Sequence, residues 1–546
     1  VSTVAYYPAG AVHMRNLDLL AGALPQHDFR VLYRTSLPWV DPDKVAEYGY
    51  PYLLDDGDRP TTDLPADLLE GVSALVLSIA AVEPMVCDLI EAAYERDVPV
   101  IAIEEVVQIA LNQGAINHYL MPVDRLALAS DFERDHMASL GVVEHKMAVT
   151  GWPFYSGLKS APSPDSRNNA REMLGLAPDS RVAALCLSRL NDAEDLSALE
   201  SPQARAEILD TVRDGVPGSY ELVVKLHPAE NSQAARRQIE ARLPAATVVA
   251  GGVGIGDVLD AADVCLTRGN SQVALEALLR DMPVYAIPCG IPTLFDGDGE
   301  AFIVRDGEEL RRAFADLENG RRPDATPVTS RHLPFSPDEA LARTVAAIEE
   351  VVSGEPQQRA DRDWLELALY RSFLGEPERA LAIIERRWPD IRPPVVSALV
   401  RLLDGDASAG DIEMMVADAD LNAAYIRPVI IGLWIDQLDG RGTGPEQSDV
   451  DVIESSGRFP PRFNRHDFAG RAAKLGRLYL RASRLDEAEA IVTELAEQFG
   501  ARQDVRSLAG KLDLRKGRVT RRSISHIGRW AGQGLRRRIG SGSRPC

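Results

Sequence analysis

From Val4 to about residue 350 the sequence repeats one pattern: a short, nearly continuous apolar run, then a stretch whose apolar residues recur at helical spacing. The runs are Val4–Tyr7, Phe29–Tyr33, Ala74–Ile79, Val98–Ile103, Leu126–Ala129 and Met147–Thr150, then Val182–Leu187, Glu221–Leu226, Ala246–Ala250, Val264–Thr267 and Val284–Ile287. Between them lie helix-like segments such as Pro84–Arg96, Glu133–Leu140, Gln203–Arg213, Ser232–Leu243 and Ser271–Arg280. A strand that is apolar on both sides must be covered on both faces, and parallel strands need a crossover between them. The pattern therefore predicts α/β structure with parallel sheets between helical layers. The Ser- and Pro-rich stretch Tyr155–Asn169 separates the two sets of runs and reads as a linker. Two Rossmann-like domains in tandem are expected, at about 1–155 and 170–353, with a cleft between them.

Asn319–Pro337 is rich in Pro, Arg and Thr, and Asp338–Val352 then reads as one more helix. After Gly354 the strand signal fades and helical periodicity takes over, predicting an all-α region over 360–510. Leu475, Gly476, Tyr479 and Ala488, and more loosely Trp364, Leu367, Gly375 and Ala380, have a spacing that resembles tetratricopeptide repeats. In such repeats small residues let paired helices approach and neighbouring units bury each other's faces. The resemblance implies a surface for a protein partner or for the chain's own catalytic part.

The 546 residues include 60 Lys+Arg against 82 Asp+Glu, a formal charge of −22. That balance argues against nucleic-acid binding over the whole surface, because phosphates would be repelled. It also hides a split: Lys511 to Cys546 holds eleven basic residues and one acid, a tail of +10 on a body of −32. Within the tail, Ile524, Ile527, Ala531 and Leu535 recur at helical spacing beside Trp530, among arginines. Such a stretch suits an anionic membrane surface, and the alternatives are a disordered tail whose charge aids solubility or one docked on the chain's own acidic body. No run approaches the ~18–20 apolar residues that cross a bilayer. The five scattered cysteines and the absence of a charged-then-apolar leader predict a cytosolic protein, peripheral to the membrane through its tail.

In an open parallel sheet, ligands bind beyond the carboxyl ends of the strands, so the residues after each run are the candidates. Glu221–Leu226 leads into His227-Pro228, with Lys225 on the same strand face as His227. A histidine there can donate to a phosphate oxygen or simply cap a turn opened by Pro228. Val264–Thr267 ends in Arg268-Gly269-Asn270-Ser271, where Gly269 permits close backbone approach and Ser271 is expected to cap a helix carrying Glu276. Glu276 can accept hydrogen bonds from a ribose diol or stand solvated. Ser188 and Arg189 end a third strand with a hydroxyl and a cation. In the first domain Glu104-Glu105 follows Val98–Ile103, where one carboxylate can serve as a general base. A cluster of charges at a helix start is the alternative. His13, at the loop Pro8–Val12 after the first strand, is expected to face the cleft, an ordinary loop residue being the alternative. Gly252-Val253-Gly254-Ile255-Gly256 lacks a dinucleotide spacing and reads as a loop before a short helix. Asp296-Gly297-Asp298 reads as a turn, and no His/Cys/Glu cluster has zinc spacing, so no metal is expected.

Thr150-Gly151-Trp152-Pro153 resembles the Gly-x-Pro junction of GT-B glycosyltransferases, and Val258-Leu259-Asp260-Ala261-Ala262-Asp263-Val264 with Ser271, Glu276 and Pro283-Val284 resembles their donor half. The similarity covers about residues 1–350. His227-Pro228 is similar to the His-Pro pair of bacterial sialyltransferases, Kdo transferases and CDP-glycerol polymerases, and Glu104-Glu105 to the acidic motif of the first two. The chain departs from them at Val106, where sialyltransferase-like motifs have Gly, and at the single Ser271 after Asn270.

The resemblance implies a metal-independent, inverting glycosyltransferase that needs no cofactor. A CMP- or CDP-linked sugar would be its donor and a cell-surface polysaccharide or glycolipid its acceptor. His227, Ser271 and Arg268 would meet the phosphate, Glu276 the ribose, and Glu104 or Glu105 the acceptor hydroxyl. A UDP-sugar transferase, a UDP-sugar 2-epimerase and a non-catalytic scaffold stand as alternatives.

Overall fold

A computed structural model of the chain describes residues 2–8, 11–33, 50–53, 68–78, 84–104, 122–139, 142–156, 158, 161–188, 202–227, 230, 233–250, 253–269, 271–288, 293–297, 299–354, 359–390, 392–418, 426–441, 445–455, 465–499 and 503–517. By Cα proximity it divides into an α/β unit that runs to Arg359 and a helical unit that begins at Ala360.

The α/β unit holds two sheets, parallel throughout. The first has seven strands: β1 (Ser2–Tyr6), β2 (His27–Tyr33), β3 (Tyr50–Leu53), β4 (Val72–Ser78), β5 (Val100–Ile103), β6 (Arg125–Leu128) and β7 (Met147–Val149). Their order is β3-β2-β1-β4-β5-β6-β7. β3 was not expected: it is four residues long, contains Pro51, and pairs on one side only, the place where a sheet tolerates proline. The second sheet has β8 (Arg181–Cys186), β9 (Tyr220–Lys225), β10 (Thr247–Val249), β11 (Val264–Arg268) and β12 (Val284–Ile287) in the order β10-β9-β8-β11-β12.

Both faces of the second sheet are covered, as continuous apolar strands require. Val182, Ala184, Cys186, Val223 and Cys265 pack against α4 (Pro164–Leu174), α7 (Ile255–Ala261) and α8 (Val273–Leu279). The alternate residues Ala183, Leu185, Val224, Val264 and Leu266 pack against α5 (Pro202–Gly215), α6 (Gln233–Arg242) and α9 (Gly307–Glu318). In the first sheet α1 (Ala11–Ala23) follows β1, α2 (Pro84–Tyr94) follows β4 and α3 (Asp131–Ser139) follows β6.

The stretch read as a linker contains the start of a helix, and the Pro-, Arg- and Thr-rich stretch Asn319–Pro337 contains another. α4 begins inside Tyr155–Asn169, with the Ser163 hydroxyl accepting from Ser166 N–H at 3.1 Å and Pro164 in the first turn. Ser-Pro is a helix-start signal as well as a linker composition, and here the start prevails. α10 (Thr326–His332) lies inside Asn319–Pro337.

The chain then returns to the first sheet. Ser336 caps α11 (Pro337–Ser353), whose Ala347 and Ile348 join Val4, Tyr6, Leu17, Leu20, Val76 and Ile101 in one core. Burying a side chain such as Ile348 contributes about 1.5–3 kcal/mol. Gly151, at φ +84°, sits against the first turn of this helix, where a Cβ would fall 2.7 Å from that of Ala340. The indole of Trp152 donates to the His332 carbonyl at 2.8 Å. Arg359 donates to the Val98 carbonyl at 2.8 Å and pairs with Asp124, fastening the end of the unit below β5 and β6.

The helical unit contains, among the described residues, α12 (Asp361–Phe373), α13 (Pro377–Arg387), α14 (Pro394–Asp404), α15 (Ala409–Ala417), α16 (Arg427–Arg441), α17 (Gln447–Ser455), α18 (Arg465–Arg481), α19 (Leu485–Phe499) and α20 (Gln503–Arg515). Gly375, at φ +87°, turns α12 into α13. Gly476 lets α18 and α20 approach, since a Cβ there would lie 2.5 Å from Leu508. Among the described residues no helix is long and apolar enough to cross a membrane. Most of the basic tail, residues 518–546, lies outside the described residues.

Candidate functional site

In the second sheet the chain runs outward from β8 through β9 to β10, then crosses to place β11 on the other side of β8. The connections leaving β8 and β11 therefore diverge, and a crevice opens at their carboxyl ends. Three consecutive strand ends border it. β9 ends at Lys225 with His227 two residues beyond; β8 ends at Cys186 with Ser188 two beyond; β11 ends at Arg268 with Gly269 next. Lys225 and Thr267 stand opposite Cys186 from its two sides. Strand alternation puts Lys225 on the face of Val223 and Cys186, covered by α4, α7 and α8. Arg268 follows Leu266 and belongs to the opposite face. The structure thus brings Lys225, Ser188 and His227 to neighbouring strand ends, and sends Arg268 to the other side of the same edge. Arg189, Pro228 and Asn270 lie outside the described residues.

The surroundings of these residues are well defined. Lys225 Nζ donates to the Ala250 carbonyl at 3.3 Å, and burial holds its pKa below the usual lysine range. Beside it, the hydrogen bond with Cys186 and then burial push the Cys265 thiol well up. Ser188 is buried, and its carbonyl accepts from Arg205 Nη2 at 2.6 Å. The same guanidinium forks onto Glu230, at 2.7 Å to Oε1 and 2.9 Å to Oε2. Glu230 N–H in turn donates to the His227 carbonyl at 2.8 Å. One buried arginine therefore ties the segment after β8 to the turn after β9. This clasp was not foreseen. Its signal is a cation on the apolar face of a helix, since Arg205 precedes Ile208, Leu209 and Val212 by three, four and seven residues.

After β11, Gly269 donates its N–H to Ile287 at 3.1 Å, and its carbonyl accepts from Leu294 at 2.9 Å. A Cβ there would lie 2.4 Å from Thr293 Cγ2, so the close approach is to the chain itself. Asp296 locks that turn, accepting from Thr293 Oγ1 at 2.6 Å and Thr293 N–H at 3.1 Å. Ser271 is not the cap of the following helix. α8 starts at Val273 after Gln272, because Ser271 is taken up in a preceding turn, with its N–H on the Arg268 carbonyl at 3.0 Å. Glu276 consequently falls in the first turn of α8. There it lies 3.8 Å from Arg280, which also reaches Asp260 at 3.3 Å; it is half-buried in an ion-pair cluster rather than solvated.

Across the unit, Glu104 follows β5 and is enclosed, 1% exposed. Its Oε2 accepts from Ala129 N–H at 2.7 Å, while Oε1 has no hydrogen-bond partner among the described residues. Burial first, and then the neighbouring carboxylate of Glu133 on α3, raise its pKa well above the usual range against the pull of the Ala129 N–H. Both effects disfavour the charged form of the carboxyl in this enclosure. Glu133 was not foreseen; its signal is an acid four residues before the buried Met137. Glu105 lies outside the described residues, and His13 falls in the first turn of α1 rather than in a loop.

No family model matches the sequence, and no curated protein matches it. Among solved structures, the chain is similar to HepE of Anabaena in complex with UDP and glucose, at 12% identity and a TM-score of 0.43 over 65% of this chain and 100% of that one. It is similar to the UDP-GlcNAc 2-epimerase of Methanocaldococcus jannaschii in complex with UDP-GlcNAc and UDP, at 15% identity and a TM-score of 0.43 over 64% and 99%. It is also similar to the wall teichoic acid polymerase TagF, at 12% identity and a TM-score of 0.43 over 64% and 88%. Likenesses this distant carry no argument about the chemistry of this chain.

Proposed function

We propose that the chain is a GT-B glycosyltransferase that binds a nucleotide-sugar at the β9-β8-β11 edge of its second sheet. What supports this reading is the topological switch at β8, with Lys225 and His227 at the end of β9, Ser188 after the neighbouring β8, and the segments of Ser188 and His227 tied by one buried arginine. In the proposed reaction an acceptor hydroxyl attacks the anomeric carbon, and the bond to the nucleoside phosphate breaks. Charge grows on the departing phosphate oxygen, where Lys225 and His227 supply a cation and a donor, so no metal is invoked. The donor is proposed to carry CMP or CDP, on the strength of His227-Pro228. Its acceptor is proposed to be a cell-surface glycan or glycolipid, reached from the cytoplasmic side by a tail-tethered enzyme. The helical unit is proposed to hold a protein partner.

One observation favours a second reading, a nucleotide-sugar-binding scaffold: Glu104 is enclosed, with its carboxylate turned to Ala129 N–H, so the base must otherwise come from Glu105 or another group. Thermal-shift titration of the full chain with CMP, CDP, UDP and GDP tests the first step. A ligand at 100 times its Kd adds about 2.7 kcal/mol to the folded state, enough to read. We expect CMP or CDP to stabilise the protein and His227→Ala to weaken that effect. Stabilisation by UDP alone moves the donor to a UDP-sugar. Silence from all four nucleotides would overturn the site. Nucleotide binding without release from any sugar donor would leave the scaffold.

A further inference from the structure

The helical unit carries a cavity whose lining elements repeat. Helix α18 contains Arg477-Leu478-Tyr479-Leu480-Arg481, and α20 contains Lys511-Leu512-Asp513-Leu514-Arg515. In each, cations at i and i+4 bracket a leucine at i+3, so all three share one helix face. Leu478 and Leu512, at i+1, point into the core and are buried. Gly476 allows the two helices to meet closely, and their matching faces line one cavity of about 420 Å³, formed by Arg477, Leu480, Arg481, Lys511, Leu514 and Arg515.

Four cations converge there. Both carboxylate oxygens of Asp439 are engaged, by Arg477 Nη2 at 2.6 Å and Arg481 Nη2 at 2.7 Å. No hydrogen bond or ion pair joins Lys511 or Arg515 to an acid among the described residues, so the lining stays three charges positive. Burial, with Arg477 and Arg481 beside it and Asp439 opposing, holds the Lys511 ammonium below its usual pKa. Like charges four residues apart on one helix already repel. Here two such pairs face a common space, an arrangement that an anion would relieve. The lip is apolar: Leu514, 40% exposed, is one of three large exposed hydrophobic side chains among the described residues.

We propose that this cavity binds a phosphate group joined to an apolar chain, the phosphate between the paired cations and the chain along Leu480 and Leu514. A phosphate seated there meets the guanidinium N–H groups that Arg477 and Arg481 do not spend on Asp439 from one helix, and an ammonium and guanidinium from the other. A soluble phosphate ester and an anionic lipid headgroup share this chemistry. The pocket lies within the helical unit, and its test is read independently of nucleotide binding.

The test uses the full chain with decyl phosphate below its micelle concentration, inorganic phosphate, and vesicles of phosphatidylcholine with or without phosphatidylglycerol. Decyl phosphate should bind at least tenfold more tightly than inorganic phosphate, with an affinity that falls as salt is added. Lys511→Glu with Arg515→Glu should weaken it at least tenfold while circular dichroism stays unchanged. Leu514→Ser, at an exposed position that does not endanger folding, should remove the decyl advantage and leave the phosphate affinity intact. If the charge variant also loses binding to phosphatidylglycerol vesicles, the source is a lipid headgroup; if only decyl phosphate binding falls, it is a soluble ester. Unchanged decyl phosphate affinity in the charge variant or in Leu514→Ser would overturn the proposal.

Discussion

Replacing Arg205 by methionine removes a guanidinium that is 0% exposed and whose hydrogen bonds include two to Glu230 and one to the Ser188 carbonyl. The cost comes less from the lost attraction than from what stays behind. The Glu230 carboxylate remains in the interior without its counter-charge, a situation that typically costs about 3–5 kcal/mol. The Ser188 carbonyl loses a donor as well, but the two losses share one group and do not simply add. With a urea dependence of about 3 kcal/mol per molar, the unfolding midpoint should fall by roughly 1–1.7 M. Because the protein has two units, hydrogen exchange of peptides covering residues 181–188 and 220–227 should accompany the urea titration, so that loss is read in the second sheet itself. A midpoint change worth less than about 1 kcal/mol would refute the claim that this pair is a tightly held buried clasp.

The double variant Arg205→Met, Glu230→Met separates folding from positioning. Removing both charges and refilling the space with apolar side chains is often neutral for stability. Most of the lost stability should therefore return. Nucleotide binding should not, because the side-chain tie from the Ser188 carbonyl through Arg205 to Glu230 is then gone and only backbone hydrogen bonds such as Leu187 N–H to the Lys225 carbonyl remain. If the double variant regains both, the clasp serves the fold alone and the positioning argument fails.

His332 gives a pH signature. Burial, with the Leu294 hydrogen bond opposing and Arg331 adding to it, holds its pKa at about 4, below the unfolded value near 6.5. Between those values the unfolded chain binds the proton and the folded chain does not, so stability falls as pH drops from 6.5 towards 4, by roughly 3 kcal/mol. Urea midpoints at pH 7 and 4.5 should show a steeper fall in the wild type than in His332→Leu; equal slopes would remove His332 as the cause. Glu104 has the opposite sign: its folded pKa is raised, so its contribution is complete at low pH and is lost as pH rises through the folded value. Glu104→Gln keeps an acceptor for the Ala129 N–H and should gain stability over the wild type with increasing pH, and a constant difference from pH 5 to 8 would contradict the assigned burial.

The sheets were legible because a strand covered on both faces must be almost continuously apolar, as residues 74–77 of β4 and 182–186 of β8 are. What escaped was signalled weakly or doubly. β3 is short, interrupted by proline and unflanked on one side. Ser163-Pro164 serves a linker and a helix start equally well until the hydrophobic spacing that follows decides. The return of α11 to the first sheet rests on Gly151 meeting Ala340 across 189 positions, a contact with no local signature.

The candidate site was legible as a set of residue types at strand ends, not as a geometry. Side chains alternate faces with every residue, so the position at which a strand leaves the sheet decides which side a cation serves. Lys225 and Arg268 both end strands beside β8, yet the one-step difference in their phase separates them by the thickness of the sheet. The carboxylates show the complementary limit. Glu104 stands at the carboxyl end of β5 as its position implied, but its pKa is raised by its enclosure and then by Glu133, which lies 29 positions away on a different element. Arg205 shows the third. A charge on an apolar helix face is visible as an anomaly in the sequence, and only the fold reveals that its partners are a carbonyl after one strand and a carboxylate after the next. Anomalies against the local pattern, rather than agreements with it, are therefore where the sequence marked the interior chemistry of this site.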